Sequence, residues 1–131
     1  MICRDSNGLY LGSSALVLKG ISDPATLESL ACRESLALAE DLLLENYVVA
    51  SDCKGVISDI AEGTMGIYAA VIDEIKNRMR QFNNCSFVHE FRASNFEADS
   101  LAKFALTLGV GRHSWLNAPY SVNVPVNILL N

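Results

Sequence analysis

The sequence predicts a single α/β domain built on a mixed sheet, and three observations carry that expectation. An Asn-Gly pair, Asn7-Gly8, sits between two apolar stretches near the start, among the strongest local signals for a hairpin. A long amphipathic stretch beginning at Pro24 leads directly into the apolar run Tyr47–Ala50, as a helix leads into a buried parallel strand. A helical, strand-like and again helical pattern follows, and this alternation points to helices packed on a sheet.

Taken in order, "RDSNG" (Arg4 to Gly8) is the hairpin turn, and Leu9 to Leu18 is the returning strand. Only Met1, Ile2 and Cys3 precede the turn to pair with it. Ser22 or Asp23 caps the first helix, and Pro24 suits its first position. Leu27, Leu30, Ala31, Ala37, Leu38 and Leu42 give that helix one apolar face. "NYVVAS" is a strand, and "CKGVISDIAE" is a short helix closed by Gly63. From Gly66 to Gln81 the residues Ile67, Val71, Ile75 and Met79 recur at helical spacing. "CSFVHEF" is a strand, and "SNFEADSLAKFALTLG" is a last helix with Ala98, Leu101, Ala102, Ala105 and Leu108 turned inward. Residues 110–131 read as irregular. "SVNVPVNIL" within them has an extended alternation that Pro125 would confine to a sheet edge.

At 131 residues, half of them apolar, the chain is long enough for a real core. The formal net charge of -5 argues against a general polyanion binder, which needs surplus Lys and Arg to replace counterions. Cys3, Cys32, Cys53 and Cys85 form no C-x-x-C pair, so neither a zinc site nor a disulfide framework is expected. Reduced thiols favour a reducing compartment. No run approaches the roughly 20 apolar residues that span a bilayer. A soluble intracellular protein of cytoplasm or nucleus, with no membrane partner, is the expectation.

Three acids stand where chemistry would use them. Asp52 follows a parallel-type strand, at the sheet end where open α/β sheets place ligands. Glu28 lies early in the first helix, beside its apolar face, and Asp99 lies early in the last. Each has an ordinary alternative: a helix N-cap for Asp52, and an acid facing the helix dipole for Glu28 and Asp99. Convergent carboxylates repel unless a hard cation such as Mg²⁺ binds them. Two such ions about 4 Å apart can activate water against a phosphodiester.

In these stretches the chain resembles a ribonuclease H type 1 domain, of the plant group similar to the ribonuclease H regions of retroelement reverse transcriptases. The matching pieces are "RDSNG", "LESLACRESLALA", "VVASDC" and "FVHEFRASNFEADSLAKFAL", with "GVGRHSWL" after them, in order from Met1 to about Leu116. The resemblance implies a ribonuclease H-like mixed sheet flanked by helices over residues 1–118, followed by a tail at 119–131. It also implies metal-dependent cleavage of the RNA strand of an RNA–DNA hybrid. Glu28, Asp52 and Asp99 fall on three of the family's four metal-holding carboxylates, which hold Mg²⁺ or Mn²⁺, two ions where the site is complete.

The family's first strand and its aspartate have no counterpart here, because Met1, Ile2 and Cys3 match the second strand. Asp5 belongs to the hairpin turn and cannot replace that acid. His89, inside a strand, reads as structural; His113 is given no role. For binding, RNA–DNA hybrid or double-stranded RNA is the implied partner, read through 2′-hydroxyls and phosphates. Ser51 and Asn95 are candidates for the hydroxyls, with Ser13, Ser14 and Ser100 beside them; Lys54, Arg92 and Lys103 are candidates for the phosphates. A ribonuclease H-like module that binds nucleic acid or protein without catalysis is the other reading. The family's first strand lies between its second and fourth, so something is expected to fill that place: the tail, a strand swapped from a second copy in a homodimer, or residues upstream.

Overall fold

The computed structural model describes residues 1–90, 96–116 and 126–129. The elements run β1 (Ile2–Asp5), β2 (Tyr10–Val17), α1 (Pro24–Asp41), β3 (Asn46–Ser51), α2 (Lys54–Glu62), α3 (Ala69–Met79), β4 (Asn84–His89), α4 (Phe96–Ala105), β5 (Gly111–Leu116) and β6 (Val126–Leu129). They form one six-stranded mixed sheet in the order β4-β3-β6-β1-β2-β5.

Local chemistry accounts for most boundaries. Asp5 Oδ1 accepts from the N–H groups of Asn7 and Leu9, and Gly8 takes a φ of 83°, so the β1–β2 turn is closed by a side chain and a glycine. Asp23 caps α1 by accepting from the Thr26 N–H, ahead of Pro24 at the first turn. Gly63, at a φ of 85°, ends α2. Two helices are shorter than the periodicity suggested. α3 starts at Ala69 and leaves Ile67 exposed, because Gly66 is a poor helix former ahead of it. α4 ends at Ala105, and Leu108 is exposed rather than inward.

One core gathers Leu36 and Leu38 of α1, Leu42 at its C-cap, Val56 and Ile60 of α2, and Ile72 and Ile75 of α3 against Cys3, Leu11, Val49 and Ile128 of the sheet. Ile2 and Ala50 alternate to the other face and are also buried. α4 packs on β2, with Ala98 and Ala105 buried.

The C-terminal residues depart most from the sequence reading. Gly111–Leu116 is not irregular but pairs antiparallel with the whole run Gly12–Val17. Val126–Leu129 is not an edge segment either. It lies between β3 and β1, parallel to the first and antiparallel to the second, with Ile128 opposite Val49 and Cys3. The described strand begins at Val126, just past Pro125 in the sequence, so none of its described residues lacks a backbone N–H. Of the candidates for the central place, the tail of the same chain fills it. Among the described residues no helix is long and apolar enough to cross a membrane.

Candidate functional site

β3, paired between β4 and β6, ends in Ser51, with Asp52 next and α2 starting at Lys54. The N-cap position of α2 is Cys53, and no side chain caps it. Asp52 is therefore not committed as a helix cap, which removes its ordinary reading. It is half-buried.

Glu28 lies in the second turn of α1, past the acid-free first turn, and is also half-buried. Ser51 Oγ donates to Glu28 Oε1 at 2.5 Å and accepts from the Cys53 N–H at 3.1 Å. One hydroxyl thus joins the end of β3 to the start of α1 and to the first turn of α2. Burial pushes the Glu28 carboxyl above its ordinary range; the Ser51 hydrogen bond pulls it down, and the neighbouring Asp52 charge pushes it up again. Glu28 and Asp52 are consequently electrostatic neighbours, two oxygen-donor side chains drawn from different elements.

Asp99 is half-buried on α4. Helical spacing puts it one turn before Lys103, on the stripe that continues through Ala102 and Leu106. That stripe, from Ala102 onward, lines a cavity of about 320 Å³ together with Leu27, Glu28 and Ala31 of α1 and the end of β2. Among the described residues no three His, Cys, Asp or Glu side chains gather into a group that could hold a metal ion. The donor chemistry fits a smaller demand. Mg²⁺ keeps several waters and is often bound through one or two carboxylates, which the Glu28–Asp52 pair supplies.

The sequence matches the reverse transcriptase-like family over residues 1–105. The chain belongs to that family. No curated protein and no solved structure matches it. The reverse transcriptase-like family is ribonuclease H-like, and the mixed sheet with four helices agrees with that fold.

The remaining candidates of this reverse transcriptase-like domain separate clearly. Lys54 opens α2 and Lys103 borders the cavity, and both are exposed. Arg92 and Asn95 lie outside the described residues. Ser51 is fully buried, with its hydroxyl engaged as above. Ser13 and Ser14 are buried too, their hydroxyls bonded to Tyr10 Oη and Glu34 Oε1. A buried and committed hydroxyl is poorly placed to read a 2′-hydroxyl, whereas Ser100 is exposed. His89 ends β4 opposite Ser51, and a His113 ring nitrogen lies 2.9 Å from the Gly109 carbonyl oxygen.

One cluster escaped the sequence reading. Glu34 of α1 accepts from Ser14 and from Arg112 of β5, and Arg112 also reaches Asp41. This network fastens the β5 edge to α1. Its members are spread from Ser14 to Arg112, so no spacing could have announced it.

Proposed function

We propose that this domain engages RNA–DNA hybrid or double-stranded RNA through a divalent cation, Mg²⁺ or Mn²⁺, held by Glu28 and Asp52; Asp99 of α4, the third acid that the family resemblance implies, does not gather with them into one metal-holding group. The observation that carries the reading is the Glu28–Asp52 pair: a carboxyl raised by burial stands beside a second acid that serves no cap. Such an arrangement costs stability by itself, and perturbed acids in a cleft mark functional sites more often than structural ones. A bound Mg²⁺ or Mn²⁺ would supply charge neutralisation at a phosphodiester and activation of water. Glu28 and Asp52 would orient that ion from opposite elements. Lys54 and Lys103 would meet phosphates along the approach.

Cleavage of the RNA strand of a hybrid is the reaction the family resemblance implies. A second reading, binding without turnover, is favoured by one specific observation. β6, which fills the central place of the sheet, brings Val126, Asn127, Ile128 and Leu129 and therefore no acid. With fewer carboxylates at the site than the family's four, we expect residues 1–131 to bind hybrid and cleave it slowly or not at all. The test is Mn²⁺ titration by calorimetry, followed by a hybrid cleavage assay on the wild type and Asp52→Asn. Cation binding lost in Asp52→Asn supports the site. Binding unchanged in that variant refutes it, and rapid cleavage by the wild type refutes the second reading.

A further inference from the structure

Resting on that reading, we infer that Ser51 is a positioning residue of the site, a group that sets Glu28 and Asp52 relative to one another. A hydroxyl offers one donor and two acceptor sites. Ser51 uses the donor on Glu28 Oε1 and an acceptor on the Cys53 N–H. The second contact closes a short side-chain turn whose central residue is Asp52, so the backbone carrying that carboxylate is fixed by the same oxygen atom. The Ser51 carbonyl accepts from the Glu90 N–H at 2.8 Å, which anchors the strand end to the chain leaving β4. Full burial of Ser51 keeps water from competing for these bonds.

The geometry also divides the work of the Glu28 carboxylate. Oε1 is engaged by the hydroxyl, and Oε2 is the oxygen that remains for a cation. Without the hydroxyl, Glu28 would be free to rotate about its terminal torsions, and the Cys53 N–H at the start of α2 would lose its partner. Ser51 touches neither substrate nor cation and acts through the two acids.

The test uses the whole chain. Removal of a hydrogen bond that orients a metal ligand characteristically weakens metal binding by about 10–100-fold, and Ser51→Ala should lose Mn²⁺ affinity within that range by calorimetry. Ser51→Thr keeps the hydroxyl and should stay much closer to wild type. Wild-type affinity in Ser51→Ala overturns the inference, as does an equal loss in the Ala and Thr variants, which would mark simple packing. A second readout needs no metal. By NMR, the Ser51 hydroxyl proton should be visible and protected from solvent exchange in the wild type, and lost in Glu28→Ala. If the wild type binds no Mn²⁺, the cation reading fails while a protected hydroxyl proton still upholds the Ser51–Glu28 contact. An unprotected proton overturns the positioning role itself.

Discussion

Ile128 stands in register with Val49 across the parallel β6–β3 ladder, and both side chains are fully buried. The strand that completes the centre of the sheet therefore comes from the far end of the chain. β1 has four residues, and all four pair with β6. Without β6, both β1 and β3 would expose ladder groups, each costing about 1–3 kcal/mol when buried without a partner. That sum rivals the whole stability of a domain, roughly 5–15 kcal/mol.

Ile128→Ala should accordingly destabilise the domain by about 2–5 kcal/mol, measured by denaturant unfolding. Deleting residues 119–131 should remove the cooperative transition altogether, and a peptide of those residues added in trans should restore part of it. A deletion that melts like the full chain would show that β6 contributes little.

The central strand illustrates what the sequence made legible and what it did not. Asp23-Pro24, Asn7-Gly8 and the apolar run before Asp52 act through neighbours in the chain, so each announces its element locally. Pro125 argued against the tail for the same local reason, but the described strand Val126–Leu129 contains no proline. Long-range choices leave no such trace. Gly111–Leu116 becomes a strand because Gly12–Val17 offers an edge about a hundred residues away. In the candidate site, sequence singled out Glu28, Asp52 and Asp99 from their positions at element ends, while the hydrogen bond from Ser51 to Glu28 left no local signal. Only the packing of α1 against the end of β3 decides whether that hydroxyl faces solvent or an acid.

The Arg112 network should show how an edge strand is held. Glu34 is nearly buried and depends on Arg112 and Ser14 for its partners. Arg112→Ala leaves that carboxylate with the serine alone, and a loss of about 1–3 kcal/mol is expected from thermal or urea unfolding. Replacing both members, Glu34→Leu with Arg112→Met, should recover part of the loss, because neither charge of the pair remains, while Ser14 gives up its acceptor. Equal losses in the single and double variants would mean that the pair does not matter as a pair.

Nucleic-acid binding should be weak and steeply salt-dependent. The chain carries a net charge of -5, and few cations stand near the site, so only a small phosphate footprint is available. Hybrid or double-stranded RNA should bind better than duplex DNA in fluorescence anisotropy, with affinity falling as salt rises. Lys54→Ala and Lys103→Ala should each reduce the salt slope by roughly one. Tight binding to every nucleic acid at physiological salt would contradict this account.

The last prediction concerns the stability cost of Glu28. Burial is the largest influence on its carboxyl and raises it above the ordinary range. An acid whose folded pKa lies above its unfolded value binds its proton more tightly in the native state. Its contribution is therefore neutral at pH below the unfolded value, becomes unfavourable as pH rises through the interval between the two, and stays unfavourable above it. Glu28→Gln removes the charge and keeps an oxygen that can accept from Ser51. The variant should melt above wild type at pH 7, and the difference should close near pH 3, where the wild-type carboxyl is protonated in both states. Added Mn²⁺ should reverse the order at pH 7, because the cation stabilises only the chain whose charged carboxylate it binds. A Glu28→Gln variant no more stable than wild type at neutral pH would mean that Ser51 and its surroundings fully compensate the buried acid. The raised carboxyl would then give no ground for placing a cation there.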